Sequence, residues 1–171
     1  RLANADILPF DFTSASGVIA GYVDELVAMD EGGLLRDELR EIGAANAAMR
    51  VAATETNGVL ARLLGGAAAS AEQNRSAVDQ VNALIMRAER DMIDERGLWR
   101  RPWDRNLSYA PGYYEGYAAK TLPGVREPME DGAWEVARTQ AGMLVEALER
   151  VTLALTEAGT VARAATTRVI S

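Results

Sequence analysis

"LLRDELREIGAANAAMRVAATETNGVLARLL", Leu34 to Leu64, is the stretch whose reading decides the fold. Leu35, Leu39, Ile42, Ala45, Met49, Ala52, Val59, Leu60 and Leu63 recur at intervals near three and four residues, with Arg and Glu filling the positions between. That period winds the apolar residues onto one face of an α-helix, whereas a strand, with its period of two, would scatter them over both faces. A helix this long with a single apolar face must bury it against other helices.

Three further segments share the period. The first runs from about 14 to 29, where Thr13 or Ser14 caps a stripe of Val18, Ile19, Tyr22, Val23 and Leu26. Another runs from about 70 to 94 through Val78, Val81, Leu84, Ile85, Ala88 and Met92, and the last from about 134 to 158 through Ala137, Ala141, Leu144, Leu148, Val151 and Leu155. Short connections among the first three predict an all-α fold, an antiparallel up-down-up-down four-helix bundle. The exception is the stretch 95–132, with four of the five prolines, Trp99, Trp103 and four of the five tyrosines. So long a connection needs a function or is disordered, and its aromatics predict an ordered loop packed on the bundle.

Composition narrows the function. The chain has 171 residues, enough for one domain with its own core, and a net charge of −7, which disfavours phosphate backbones and predicts no nucleic acid partner. Nor is there a basic amphipathic stripe or a long apolar run to predict a membrane contact. With neither Cys nor His, Ser-His and Cys-His catalysis and the usual zinc ligand sets are absent. Carboxylates are the strong metal ligands left. Glu89, Asp91, Asp94 and Glu95 form the densest acidic group, read here as a solvated helix end among Arg87, Arg90 and Arg96.

"RGLWRRPWDR", Arg96 to Arg105, interleaves arginines with tryptophans, and Arg101 and Arg105 are read as anchors that support the loop. Tyr109, Tyr113, Tyr114 and Tyr117 each offer an apolar face and a phenol that can donate to a substrate carboxylate, with no base or nucleophile nearby in sequence. The residues alone predict a helical bundle with an ordered functional loop, not a self-sufficient enzyme.

"LANADILPFD", "ERDMIDERGLWRRPWDRNLSYAP" and "LPG" at Leu122 to Gly124 together resemble the C-terminal dimerisation domain shared by glutamate carboxypeptidase II-like zinc peptidases and the transferrin receptor. The matching positions are Leu2–Asn4, Leu8–Asp11, Glu89–Arg90, Ile93–Asp94, Gly97–Leu98, Arg101–Pro102, Tyr109–Pro111 and Leu122–Gly124, in order, with Trp134 near the start of the last helix. The resemblance implies a homodimer, a two-zinc peptidase domain in the same parent chain, and a peptide substrate whose pocket this loop completes. No catalytic residue, metal ligand or cofactor is expected within these 171 residues; zinc is expected in the peptidase domain.

The family's substrate-holding Lys-Tyr pair falls on Gly116 and Tyr117, so the carboxylate-binding Tyr carries over to Tyr117 while the Lys does not. Tyr109, Tyr113, Tyr114, Arg101 and Arg105 are expected to support that pocket. The start on Arg1 reads as that of a domain excised from a larger peptidase, and the richness in Ala, Gly and Arg as bacterial. Family habit implies an extracytoplasmic location. The alternative is a non-catalytic module like the receptor branch, dimerising and binding a protein.

Overall fold

The computed structural model describes residues 7–65, 71–114, 116 and 118–168; the motif at 2–4, the 66–70 connection and Tyr117 lie outside them. It is mostly helical, with α1 (Phe12–Met29), α2 (Arg36–Gly65), α3 (Ala71–Arg90), α4 (Pro123–Glu130) and α5 (Trp134–Arg168). Between α3 and α4 lies an antiparallel pair of strands, β1 (Tyr109–Pro111) and β2 (Ala119–Thr121), with Ala110 opposite Lys120.

Local chemistry sets the helix ends. Asp11, rather than Thr13 or Ser14, caps α1: its carboxylate accepts from the Ser14 amide at 2.9 Å and from the Ser14 hydroxyl at 2.6 Å. Asp30 accepts from the amides of Leu34 and Leu35 at 2.8 and 2.9 Å, so the turn is tied before α2 begins at Arg36. α3 stops at Arg90, short of the expected 94, because Ile93 leaves the helix to bridge Asn106. α5 continues ten residues past the expected Ala158, burying Ala162 against Val59, Leu63, Val81 and Ile85.

The packing order is α1 on α2, α2 on α5, and α3 and α4 on α5. Asn46 of α2 donates to the Ser16 carbonyl of α1 at 2.9 Å. α2 and α5 run side by side in one direction: Arg138 donates to the Leu34 carbonyl at their beginnings, and Thr56 to the Leu155 carbonyl at 2.8 Å further on. α3 returns against α5, pairing Arg87 with Glu157 and bringing the Asp91 carbonyl to Arg150. The largest fully buried side chains, including Leu26, Leu35, Ile42, Met49, Leu144, Leu148 and Val151, fill the space between α1, α2 and α5. Each contributes about 1.5–3 kcal/mol on leaving water.

The stretch 95–132 is not the simple loop expected, since it carries both strands and α4. At the entrance to α4, Leu122 is fully buried with φ 44°, and Pro123 takes the first helical turn, where its missing N–H costs nothing. Gly124 follows because α4 lies hard against α5: a Cβ there would sit 2.4 Å from Gln140 Oε1. Gly124→Ala is therefore expected to cost about 1–2 kcal/mol by overpacking, about 5 °C in Tm for a chain of this size, read by thermal denaturation.

Candidate functional site

After α3 the backbone doubles back on itself. The Leu107 amide donates to the Met92 carbonyl, Asp94 to Arg105 and Leu98 to Asp104, closing a compact loop that projects Trp99, Arg100 and Arg101. Asp94 secures its base. The carboxylate accepts from Arg96 Nε and Nη2, both at 2.8 Å, and from the Arg96 amide at 3.0 Å, with Arg150 of α5 at 3.6 Å. The Arg96 side-chain bonds, outweighing burial, hold the Asp94 carboxyl down to about 2. Arg96 also reaches Glu146 of α5 at 2.5 Å. The acidic group expected to be a solvated helix end is thus partly an anchor: Asp94 is buried, and Asp91 lies near both Arg87 and Arg150. Among the described residues, no three carboxylates gather to hold a metal.

Arg101 fastens this loop to the strand pair and α4. It is 4 % exposed; its Nη2 donates to Glu127 Oε2 at 2.5 Å and its Nη1 to the Pro111 carbonyl, with Asp104 at 3.5 Å. The other Glu127 oxygen accepts the Tyr113 amide at 2.8 Å. One buried ion pair therefore fixes the end of β1, the turn beyond it and α4 together. Its neighbour Arg100, at φ 63°, carries its guanidinium 3.8 Å over the Trp99 ring and donates to Tyr114 Oη at 2.8 Å and Asp131 at 2.6 Å. Tyr114 donates to the same Asp131 at 3.1 Å and meets Tyr113 edge to face at 5.0 Å.

Of the residues expected from sequence, Arg101, Tyr113 and Tyr114 come together. Tyr109 stands on β1 with its side chain exposed, and Arg105 is exposed as well. Tyr117 lies outside the described residues. Arg100, from the same arginine–tryptophan stretch as Arg101, completes the cluster with Glu127 and Asp131; nothing in the sequence neighbourhood of the two acids distinguishes them from surface charges. The side chains of Trp99, Arg100, Tyr113, Tyr114, Glu127 and Asp131 fill the small cleft between them, making it a rigid platform rather than a cavity. Beyond it the chain turns through Gly116 at φ 64°, a conformation that a residue with a Cβ adopts only under strain. Lys120, the nearest ammonium, is held by Glu130 at 2.9 Å. Exposed Trp103, Tyr109, Tyr113 and Tyr114 leave this end aromatic and outward-facing, with phenols able to donate and, among the described residues, no free base beside them.

Comparison with known proteins gives this arrangement a context. Residues 37–156 match the model of the transferrin receptor-like dimerisation domain. The chain is 30% identical over 156 residues to a probable glutamate carboxypeptidase of Arthroderma benhamiae, covering 91% of this chain and 20% of that protein. It is 32% identical over 85 residues to a probable glutamate carboxypeptidase of Arabidopsis thaliana, covering 46% of this chain and 12% of that protein. The chain thus spans a fifth or less of these relatives' length. The matched residues run from the first turn of α2 through the projecting loop, the strand pair and α4 into α5, and on that extent the chain belongs to the transferrin receptor-like dimerisation domain family.

Proposed function

We propose that this chain is the dimerisation and pocket-completing domain of a zinc-dependent exopeptidase of the glutamate carboxypeptidase kind. Its four long helices act as an up-down-up-down bundle that pairs with a second copy, and the 95–132 excursion reaches toward a peptidase domain of the same parent chain. The observation that carries the reading is mechanical. The excursion is fastened at its base by Asp94 and at its middle by the buried Arg101–Glu127 pair, while its aromatic end stays exposed. Rigid support under an exposed tip suits a group that must meet a substrate in one position.

In this reading Tyr117 donates its phenol to the substrate's α-carboxylate. The preference for a C-terminal glutamate is weakened, because Gly116 offers no ammonium and Lys120 is engaged by Glu130. Zinc chemistry belongs to the peptidase domain, and no step of it passes through these residues. In the full-length enzyme, Tyr117→Phe is expected to raise KM about tenfold with the dimer intact, about 1.4 kcal/mol of binding. Unchanged kcat/KM on a panel of C-terminal residues would remove the pocket role.

A further inference from the structure

Around the aromatic platform, cations and carboxylates cancel in pairs, and α4 supplies the acids. It presents Glu127 to Arg101 at 2.5 Å and Glu130 to Lys120 at 2.9 Å, while Asp131, its C-cap, meets Arg100 at 2.6 Å. The other cations of the excursion are turned elsewhere. Arg96 is taken by Asp94, Arg126 reaches Glu25 of α1, and Arg105 stands at the loop's base, where its carbonyl accepts from the Asp94 amide.

What remains uncommitted is aromatic. The Tyr114 phenol is held twice, accepting from Arg100 and donating to Asp131, yet the residue is 72 % exposed, so its ring is fixed and open to solvent. Tyr113 meets it edge to face and is exposed as well. The Arg100 guanidinium lies 3.8 Å from the centre of the Trp99 ring and 5.4 Å from that of Tyr113, supporting both. Arg100 holds this place at φ 63°, and a strained residue kept at an exposed end marks a site rather than a packing need.

We propose that this platform receives the side chain of the substrate's C-terminal residue and selects a neutral one, aromatic or branched apolar, such as Phe or Leu. The inference rests on the exopeptidase reading above and names its substrate class. Tyr117 follows Tyr114 by three residues, so the chain lets their Cα atoms lie no more than about 11 Å apart. A substrate held by its α-carboxylate at Tyr117 therefore has its own side chain within reach of the Tyr113 and Tyr114 rings. An apolar side chain gains by leaving water against them. A carboxylate laid there would lose its water and find the neighbouring cations already paired, and an ammonium would have to share the rings with the Arg100 guanidinium. Charge pairing by α4 thus sets the preference as much as the rings do.

Kinetics of the full-length parent enzyme on peptides that differ in their last residue test this. The kcat/KM for peptides ending in Phe or Leu is expected to exceed that for the same peptides ending in Glu or Lys at least about tenfold. Tyr114→Ala, at an exposed position, is expected to lower kcat/KM about tenfold for the Phe peptide and less than about twofold for the Ala peptide. Tyr114→Phe keeps the ring and is expected to stay within about threefold of the parent. Asp131→Asn, nearly the same in shape, leaves the Arg100 charge uncompensated and is expected to move the Glu-to-Phe ratio at least about fivefold toward Glu. A parent that favours Glu or Lys overturns the inference and leaves the exopeptidase reading standing. So does a Tyr114→Ala variant that slows every peptide alike, or an Asp131→Asn variant whose ratio does not move. A parent that cleaves no peptide defeats both.

Discussion

Arg101→Ala is expected to cost about 3–5 kcal/mol and to lower Tm by about 10 °C or more. The loss exceeds that of an ordinary surface arginine because the partner stays behind. Glu127 is 7 % exposed, and without Arg101 one of its oxygens keeps only the packing around it while the other still accepts the Tyr113 amide. The Pro111 carbonyl also loses its donor. Replacing both partners, as Arg101→Met with Glu127→Leu, is expected to recover much of the stability, since the desolvation of both charges disappears along with their attraction. If the double variant unfolds as readily as Arg101→Ala, the damage comes from the loop's other contacts, not from a stranded carboxylate. Guanidinium melts of the two variants separate these cases.

Asp94→Asn is expected to cost about 2 kcal/mol at pH 7, by weakening three bonds to Arg96 and the approach of Arg150. Part of that cost is tied to pH. The folded carboxyl titrates near 2 against 3.8 in the unfolded chain, so it binds its proton more weakly when folded. Its contribution is complete above about pH 5, falls as pH drops from about 4 toward 2, and is gone below the folded value. Allowing for screening at the half-exposed Arg96, the pH-dependent part is about 1–2 kcal/mol. Denaturant titrations at stepped pH should show the parent and Asp94→Asn stabilities converging as pH approaches 2; parallel curves would show that Asp94 holds the loop by shape alone.

The four long helices were legible because burial imposes a period on the chain. Leu35, Leu39, Ile42 and Met49, and then Leu144, Leu148 and Val151, lie where the spacing puts them, inside. α4 was not legible. Pro123, Gly124 and Pro128 are the residues that normally mark a turn, and here they form a helix because Pro123 starts it and Gly124 allows it to lie on α5. The strand pair escaped for a similar reason, being three residues a side in a stretch rich in Gly and Pro. The last turns of α5 are alanine and threonine, with too little apolar contrast to register as a face.

At the candidate site the aromatic half could be read and the ionic half could not. Tyr113 and Tyr114 stand out in any helical sequence, and Arg101 was marked by its tryptophan neighbours. Glu127 and Asp94, by contrast, are of a residue type that is exposed almost everywhere, and nothing in the sequence marks Arg101 as the partner of Glu127 or Arg96, two residues on, as that of Asp94. For Glu127 that partner is 26 residues distant.

The side-by-side course of α2 and α5 also governs when the chain can fold. The Thr56–Leu155 and Leu34–Arg138 bonds join residues 99 and 104 positions apart, so the central seam closes only after the whole intervening chain has been made. α1 and α2 can pair as a local hairpin on the ribosome, but the apolar faces of α2 and α3 have no wall until α5 emerges. At about 5–20 residues per second, the stretch from Gly65 to Arg168 takes several seconds to synthesise. During that interval the nascent chain shows its stickiest surface, making α5 the element whose arrival ends the exposure to aggregation and to chaperones.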